Sequence, residues 1–431
     1  MDTLRRRYGG RTELSDFSVE AHSHATRVIE RCRELARITD IAGETTRTFL
    51  SPAARRCTEI VRLWMEAAGL EVNVDAVGNL RCVYAGELSG TARLVIGSHL
   101  DTVPNAGAFD GVLGVVIGLE LVEMLRGKKL PYAIEVVGFS EEEGVRFGTP
   151  FIGSRALVER VDDQLLSKTD QEQLSVRQAI TSFGLDASEI SSAVLDEHAK
   201  AYLEFHIEQG PVLESEGLSL GVVEAIVGQT RGEMRFIGSA NHAGTTPMHL
   251  RRDAMAATAQ WIGEVERCAR ATKGLVATVG RVAVSPGAGN VIPGDVKASL
   301  DVRHADDAVR TAAVNDLIAH ARAIARERGL SVEWDVFMEQ KAVAMNMSLT
   351  EMVEDAVISA GQVPYRMTSG AGHDAMVIAE RLPAAMIFLR SPDGLSHHPD
   401  ETVRQEDVAH ALAAGFEFLQ KFDEMVTRTH A

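Results

Sequence analysis

Four short, almost continuous apolar runs mark the first half of the chain. Residues 94–100, 133–140 and 202–207 have the length of strands, and residues 112–125 have the length of a helix. Apolar runs without alternation are typical of strands in a sheet that is covered on both faces. The more polar segment 156–199 predicts helix that covers the edge of this sheet. We therefore expect an α/β domain.

Amphipathic segments lie on both sides of these runs. Ser51 and Pro52 are typical of a helix N-cap followed by a proline at the first helical position, and Gly69 ends this helix. The pattern predicts helices at 20–37, 52–68, 349–360 and 406–421, and strands at 70–77, 79–84 and 385–388.

The segment from residue 221 to residue 337 has a different order of elements. Its pattern predicts β-α-β-β-α-β, which is the order of the split ferredoxin-like unit. We therefore expect a discontinuous α/β domain of residues 1–220 and 338–431, split by an inserted α+β domain of residues 221–337. The elements predicted in the insertion are strand 222–238, helix 253–269, strands 275–284 and 291–301, helix 308–327 and strand 331–337.

Composition narrows the possible classes of function. The 431 residues carry a formal net charge of −17, which argues against a nucleic-acid binder because phosphate contacts need clustered Lys and Arg. The longest apolar stretch, residues 111–119, is far shorter than the roughly 18 residues that a membrane helix needs. The four cysteines show no paired spacing, and the N-terminal segment has positive charge without an apolar stretch behind it. We expect a cytoplasmic protein with reduced thiols.

Five polar stretches follow predicted strands or lie in predicted loops, at the edge where open α/β sheets bind ligands. Each stretch alone also fits a structural role, such as a helix N-cap at Asp110 or a solvated charge run at residues 141–143. The five stretches are Ser-His-Leu-Asp at 98–101, Asp-Gly-Val-Leu-Gly at 110–114, Glu-Glu-Glu-Gly at 141–144, Glu-Phe-His-Ile-Glu-Gln-Gly-Pro at 204–211, and Gly-Leu-Ser-His-His-Pro-Asp-Glu at 394–401.

Together these stretches have the chemistry of a metal centre. His99 and Asp101 are two residues apart on extended chain and point the same way, which suits a metal ligand and the carboxylate that orients it. Asp110 lies at a turn permitted by glycine, where its carboxylate is free to bridge two cations. Nitrogen and oxygen donors without thiolate suit Zn²⁺, Mn²⁺ or Co²⁺. A shared carboxylate with a spare one nearby is the arrangement of two-metal hydrolysis.

The order of these stretches resembles the M20-type dinuclear metallohydrolases, and within them the branch of amidases, hydantoinases and carbamoylases. The resemblance extends from residue 46 to the loop of His397, which is nearly the whole chain. Its most specific motifs are Phe-His-Ile-Glu-Gln-Gly-Pro at 205–211, His-Ala-Gly-Thr-Thr-Pro-Met at 242–248, Asn-Val-Ile-Pro-Gly at 290–294 and Ser-Gly-Ala-Gly-His-Asp at 369–374.

The resemblance implies a set of metal ligands. His99 and His206 would bind one divalent cation. Glu142 and His397 would bind the other, and Asp110 would bridge the two. His397 is aligned as the ligand because Ser396 precedes it, and the ligand becomes His398 if the loop shifts by one residue.

The resemblance also implies catalytic and substrate-binding residues. Asp101 would orient His99, and Glu141 would be the general base for the attacking water. The inserted domain would be a lid and a homodimer surface on a metallopeptidase-like catalytic domain, with His242 reaching the active site of the partner subunit. The implied substrate-binding residues are Gln209, His242, Asn290, Arg303, Gly370 and Ala371.

The expected activity is hydrolysis of a ureido C–N bond in a small carboxylate, with release of ammonia and CO₂. Residues 46–75 resemble the allantoate-cleaving members most, so allantoate is the first candidate and N-carbamoyl-L-amino acids are the second. A dipeptidase or N-acyl amino acid hydrolase is a third possibility. A metal-binding module without catalysis is a fourth, but no metal needs the carboxylate of Glu141.

Overall fold

The computed structural model describes residues 11–88 and 90–429, with side chains over residues 21–88 and 90–426. Residues 1–10, in the segment from which no secretion signal is expected, lie outside it. Contacts between Cα atoms divide the chain into two compact units. Unit 1 comprises the described parts of Met1–Glu224, Met345–Met367 and His373–Ala431, and unit 2 comprises Ala225–Ala344 and Thr368–Gly372.

The helices alternate with strands along most of unit 1. The described α-helices are α1 (Arg11–Ala36), α2 (Pro52–Ala67), α3 (Val112–Met124), α4 (Ile152–Leu157), α5 (Asp163–Leu166), α6 (Val176–Ser182), α7 (Val212–Glu216), α8 (Ala254–Ala271), α9 (Asp307–Arg328), α10 (Met347–Ser359), α11 (Asp374–Ile378) and α12 (Gln405–Thr429). Short 3-10 helices are found at Ala187–Ala193, Met248–Leu250 and Pro392–Gly394.

The strands form two main sheets and one small ribbon. The described strands are β1 (Glu71–Val74), β2 (Leu80–Tyr84), β3 (Arg93–His99), β4 (Ala133–Phe139), β5 (Ala199–Ile207), β6 (Leu220–Ile226), β7 (Gly228–Ile237), β8 (Asn241–His242), β9 (Val276–Thr278), β10 (Val282–Ser285), β11 (Val291–Ile292), β12 (Asp295–His304), β13 (Ser331–Gln340), β14 (Val343–Ala344), β15 (Arg366–Ser369) and β16 (Ala384–Leu389).

The larger sheet is mixed, and it belongs to the α/β fold that the apolar runs of the sequence predict. Its strand order is β1-β2-β4-β3-β5-β16-β6-β14, and β15 also pairs with β6. The central strands β4, β3, β5 and β16 are parallel neighbours. On one side β2 pairs antiparallel with β4 and with β1, and on the other side β6 pairs antiparallel with β16 and with β14. The mixed α/β prediction is therefore confirmed.

The centre of this sheet is buried because its strands carry apolar residues on both faces. All six residues of β16 are buried, and β3 and β4 are buried except at their first residues. Helix α3 lies on one face, and its residues from Val112 to Val122 are all buried. Helices α1, α10 and α12 complete this layer. Buried strands of this kind form a rigid platform whose edge can hold a site.

One charged residue of α3 is buried within this apolar layer. Glu120 is fully buried, and its carboxylate accepts hydrogen bonds from Arg27 and Arg31 of α1. The Arg31 Nη1 atom lies 3.0 Å from Glu120 Oε2. A buried carboxylate is costly unless it is paired, so these arginines hold α1 against α3.

The polar segment after β4 differs from its prediction. It contains three short helices, α4 to α6, and a 3-10 helix at Ala187–Ala193, where the sequence predicted helix throughout. Asp162, Ser175 and Asp186 each cap the start of one of these helices with a side-chain oxygen. Repeated N-cap residues divide the segment, because each one starts a new helix.

Unit 2 contains an antiparallel sheet with helices α8 and α9 packed on it. The strand order is β10-β12-β7-β13, with β9 also pairing with β12. Trp261 of α8 is fully buried between the two helices and donates its indole N–H to the carbonyl of Leu317. A two-stranded ribbon of β8 and β11 lies in the same unit.

Among the described helices of either unit, none is long and apolar enough to cross a membrane.

Candidate metal centre

Four chain segments bring polar side chains to the carboxyl edge of the parallel strands. His99 is the last residue of β3, and His206 lies one residue before the end of the neighbouring strand β5. Glu141, Glu142 and Glu143 follow directly after β4, and Asp110 precedes α3. The loop between β16 and α12 carries His397. The strand ends therefore gather residues that are far apart in sequence.

The turn before α3 lets Asp110 approach His99 closely. Gly111 has a φ of +70°, and a Cβ atom at this position would lie 2.4 Å from the ring of His99. Such a contact is sterically impossible, and a positive φ also disfavours other residues. Glycine at 111 is therefore required for the carboxylate of Asp110 to enter the site.

The two carboxylate oxygens of Asp110 face two different groups of donors. Its Oδ1 atom lies 3.3 Å from Nε2 of His206 and 3.8 Å from Nε2 of His99. Its Oδ2 atom lies 3.2 Å from Nε2 of His397, which in turn lies 3.6 Å from Oε1 of Glu143. Two groups of possible ligands thus share one carboxylate, with one oxygen of Asp110 directed to each.

The imidazoles of His99 and His206 are oriented by backbone carbonyls. Nδ1 of His99 lies 3.0 Å from the carbonyl oxygen of Asp101, and Nδ1 of His206 lies 3.0 Å from that of Ile207. A carbonyl can only accept, so Nδ1 of each ring carries a proton and Nε2 is the atom that faces Asp110. Burial lowers the pKa of His206 to about 4, which keeps this ring neutral. Both rings are thus oriented as metal ligands.

The three successive glutamates have different surroundings. The Glu143 carboxylate forms a group with Asp110 and His397, whereas the Glu142 carboxylate forms one with His99 and Glu143. Glu141 belongs to neither group, because its Oε1 atom accepts the backbone N–H of Gly144 and its side chain is fully buried. This placement differs from the sequence-based prediction, in which Glu142 joins His397 as a ligand and Glu141 is the base.

Asp101 sets the register of these glutamates. Its Oδ1 atom accepts the backbone N–H of Glu142 at 3.0 Å, and its Oδ2 atom accepts that of Glu143 at 3.1 Å. The Oδ1 atom also lies 3.4 Å from Nδ1 of His99. One buried carboxylate therefore lies beside His99 and accepts hydrogen bonds from two glutamates that the sequence did not connect with it.

Burial and mutual repulsion make these acids difficult to ionise together. Burial is the main cause that raises the pKa of Glu143 to about 7 and that of Glu142 well above its usual range. Burial also disfavours ionised Asp110, but the hydrogen bond with His397 and the nearby imidazoles outweigh it and hold the pKa of Asp110 low. The hydrogen bond with Asp110 raises the pKa of His397 to about 9.

The donor set fits two divalent cations. Among the described residues, the charged partners of Asp110, Glu142 and Glu143 within ion-pair distance are histidines, with no Lys or Arg. Several buried carboxylates without a basic partner are costly unless a cation offsets their charge. Carboxylate oxygens and neutral imidazoles are ligands of Zn²⁺, Mn²⁺ and Co²⁺. The described residues supply nitrogen and oxygen donors for two such ions.

The loop after β16 presents one of its two adjacent histidines to the site. His397 has a φ of +54° and turns its ring to Asp110, whereas Nδ1 of His398 accepts the backbone N–H of Asp400. Gln209 lies beside His397 and donates its side-chain N–H to both oxygens of Asp110. Ser396 also donates to Asp110, at 3.1 Å. The sequence indicated Gln209 but not Ser396.

A second group of buried polar residues lies behind His206. The rings of His373 and His206 have their centroids 4.5 Å apart, and Glu204 accepts the hydroxyl of Tyr202 at 3.0 Å. Burial raises the pKa of Glu204 to about 8 and that of Asp374 to about 7. The sequence showed these residues only as parts of motifs, because nothing in the spacing connects residue 204 with residues 373 and 374.

Unit 2 brings two of the predicted substrate-binding residues together. His242 lies on β8, opposite Val291 of β11, and the backbone N–H of Ala243 donates to the carbonyl of Asn290. Both His242 and Asn290 are exposed. Nδ1 of His242 accepts the backbone N–H of Gly244 at 3.0 Å. A neutral ring with Nδ1 as acceptor carries its proton on Nε2, so His242 can donate a hydrogen bond from that atom.

The other predicted substrate-binding residues of unit 2 lie around Arg303. Its Nε and Nη2 atoms donate to the carboxylate of Asp301. Its Nη1 atom donates to the carbonyl of Gly370 at 2.7 Å. Ala371 exchanges hydrogen bonds with the hydroxyl of Ser369. Of the five N–H groups of a guanidinium, these contacts use three and leave two for a ligand.

Known proteins are similar to this chain in sequence and in fold. The model of peptidase family M20/M25/M40 matches residues 95–421. The chain is 38% identical over 389 residues to the allantoate amidohydrolase of Escherichia coli (strain K12), covering 86% of this chain and 92% of that one. It is 39% identical over 387 residues to the N-carbamoyl-L-amino acid amidohydrolase of Geobacillus stearothermophilus, covering 89% and 95%.

A solved structure agrees with these sequence relatives. The amidase of the hydantoinase/carbamoylase family from Burkholderia multivorans superposes with a TM-score of 0.87 at 32% identity, covering 92% of this chain and 97% of that one. The family match over residues 95–421 includes all the segments that supply the candidate ligands.

Proposed function

Because the chain belongs to peptidase family M20/M25/M40, we propose that it is a two-metal hydrolase that cleaves a ureido C–N bond in a small carboxylate substrate. The observation that carries this proposal is the position of Asp110, whose two oxygens face two separate sets of nitrogen and oxygen donors. Such a bridging carboxylate is typical of hydrolases that use paired cations.

The proposed ligands follow from these contacts. His99 and His206 would hold one cation, Glu143 and His397 would hold the other, and Asp110 would be shared between them. Two cations bound there would lower the pKa of a shared water and polarise the carbonyl of the substrate. Glu143 takes the role that the sequence analysis assigned to Glu142, because its carboxylate is the one grouped with Asp110 and His397.

We assign the general base to Glu142. Its Oε2 atom lies 4.0 Å from Nε2 of His99, so it borders the first donor set without facing Asp110. Burial raises its pKa well above its usual range, which favours a carboxylate that takes up a proton from the attacking water. Glu142 then returns this proton to the leaving nitrogen. Glu141 is a less suitable base, because it accepts a hydrogen bond from its own loop.

The substrate-binding roles rest on the chemistry of the remaining residues. The Nε2 proton of His242 suits the oxyanion that forms at the ureido carbon. Asn290 is close to His242 in unit 2, because its carbonyl accepts the backbone N–H of Ala243. The two unused N–H groups of Arg303 suit the substrate carboxylate. Gln209 and the backbone at Gly370 and Ala371 supply further polar contacts. We also propose, from the family resemblance, that unit 2 is a ferredoxin-like lid which forms a homodimer, so that His242 serves the partner's site.

The substrate is allantoate or an N-carbamoyl-L-amino acid, with allantoate preferred from residues 46–75. Relatives of both names are almost equally similar to this chain, at 38% and 39% identity. Both substrates offer a carboxylate and a ureido group. The buried, unpaired cysteines suit an enzyme of the cytosol.

Product release decides this proposal, with ammonia measured for the ureido substrates and the freed amino acid measured for the N-acetyl amino acids and dipeptides. The purified enzyme, loaded with Mn²⁺, Co²⁺ or Zn²⁺, is assayed with allantoate, with a panel of N-carbamoyl-L-amino acids and with matched N-acetyl amino acids and dipeptides. We expect turnover of one of the first two classes at least roughly a hundredfold above the last two, because the buried polar groups of a site built for a ureido nitrogen stay unpaired without it. Preferred cleavage of dipeptides or N-acetyl amino acids, or no turnover at all, would contradict it.

A further inference from the structure

Glu401 makes a buried contact with the backbone of the Asp110 turn. Its Oε1 atom accepts the backbone N–H of Phe109 at 2.9 Å and that of Asp110 at 3.0 Å. The residue is only 5% exposed. Two backbone N–H groups of the turn thus donate to one oxygen of a buried side chain.

Glu401 belongs to the same loop as His397. The loop runs from the end of β16 to the start of α12, and the backbone N–H of Glu401 donates to the carbonyl of His398 at 3.0 Å. The side chain of Glu401 thus connects the loop of His397 to the turn of Asp110. Two ligands that are far apart in sequence are held in one hydrogen-bonded arrangement.

The approach of these segments requires a glycine. A Cβ atom at Gly107 would lie 2.3 Å from Cβ of Glu401 and 2.5 Å from its Oε1 atom. Any larger residue at 107 must therefore displace Glu401. The turn before α3 contains two such contacts, one from Gly107 to Glu401 and one from Gly111 to His99.

From these contacts we infer that Glu401 is a positioning residue, which fixes the bridging carboxylate of Asp110 relative to His397 and thereby sets the affinity of the second cation site. The inference rests on the proposed metal centre. Glu401 contacts the backbone of one ligand and the loop of another, and it acts through them. Residues that orient metal ligands typically change metal affinity by about 10-fold to 100-fold when they are removed.

Binding of Mn²⁺ to the metal-stripped protein tests this inference without any measurement of activity. We expect Glu401→Ala to weaken the binding of one of the two Mn²⁺ ions by about 10-fold to 100-fold in a calorimetric titration. Glu401→Gln should stay within about threefold of the wild type, because its carbonyl oxygen still accepts both N–H groups. Gly107→Ala should resemble Glu401→Ala although Glu401 is intact, and it serves as the test if Glu401→Ala does not fold.

A control variant separates positioning from a general loss of stability. Asp306 of unit 2 also accepts two backbone N–H groups on one carboxylate oxygen, at the start of α9. Asp306→Ala should lower the melting temperature without changing either Mn²⁺ affinity. Equal Mn²⁺ affinities in Glu401→Ala, Gly107→Ala and Asp306→Ala would overturn the inference. A wild type that binds two Mn²⁺ ions but cleaves no ureido substrate would overturn the proposed function alone.

Discussion

The Oε1 atom of Glu143 lies 3.6 Å from Nε2 of His397, and the same nitrogen lies 3.2 Å from Oδ2 of Asp110. The three side chains form one group of possible metal ligands. This relationship identifies Glu143, among three successive glutamates, as the partner of His397. It leaves Glu142 bordering His99 and Glu141 turned into its own loop. The chemical roles of the three residues therefore differ, and substitution can separate them.

Replacement of Glu142 tests its assignment as the general base. Glu142→Gln keeps the shape of the side chain but cannot accept a proton from water, so we expect kcat to fall by about 10²-fold to 10⁴-fold with both cations retained. Glu141→Gln is the matched control and should change kcat by less than about tenfold, because its carbonyl can still accept the N–H of Gly144. Steady-state kinetics with metal analysis checks both. A large loss in Glu141→Gln with little change in Glu142→Gln would restore the assignment made from sequence.

Cation binding should depend on pH through Glu143 and His397. In the metal-free protein the pKa of Glu143 is raised to about 7 by burial, and that of His397 to about 9 by its hydrogen bond with Asp110. Both protons must leave before a cation binds, so the affinity for Mn²⁺ should rise from pH 6 to pH 9 and then level off. Calorimetry in buffers of different ionisation enthalpy counts the released protons. An affinity that is flat or falling over this range would refute the prediction.

Arg303 should distinguish carboxylated substrates from neutral ones. Lys cannot reproduce two parallel hydrogen bonds, so we expect Arg303→Lys to lower kcat/KM by at least roughly tenfold, and Arg303→Ala to lower it further. Amide analogues of the substrate, which lack the negative charge, should lose little. Competition between acid and amide substrates measures this difference. Equal proportional losses would mean that Arg303 serves only its ion pair with Asp301.

Mixed dimers test whether His242 serves the partner subunit. Chains with His242→Ala and chains with Glu142→Gln should each be inactive alone. If His242 acts across the dimer, an equal mixture of both chains regains about a quarter of wild-type activity, because half of the dimers are mixed and each has one complete site. Activity after subunit exchange, with mixed dimers verified by mass spectrometry, provides the measurement. Verified mixed dimers without activity would show that His242 acts within its own chain or not at all.

Much of the fold follows from local sequence patterns. The apolar run at 133–140 predicts a buried strand that the structure has at Ala133–Phe139, where every residue but the first is buried. Its one charged residue, Glu135, is paired with Arg81 and Arg93. The predicted strand 222–238 is instead divided between β6 and β7. The N–H of Val227, at the break, donates to the carbonyl of Ser369. That contact is made by a distant segment, so no local pattern could indicate it.

The site shows the same division between local and distant information. His99, Asp110, His206 and His397 stand out because each lies at a predicted strand end or in a predicted loop, and the structure places all three imidazoles within 4 Å of Asp110. Three identical glutamates in succession carry no local signal of their roles. Their register depends on Asp101, which accepts the N–H groups of Glu142 and Glu143 from another strand end. The role of Glu401 could not be predicted from the sequence for the same reason, because its partners lie at residues 109 and 110.

The central claim is that Asp110 bridges two cations, the second of which is held by Glu143 and His397. Anomalous scattering from crystals grown with Mn²⁺ tests it most directly, because each bound ion gives a separate peak. The account predicts two peaks, one beside each oxygen of Asp110, with Glu143 and His397 in contact with the second. A single peak, or a second peak bound by Glu142 in place of Glu143, would contradict it.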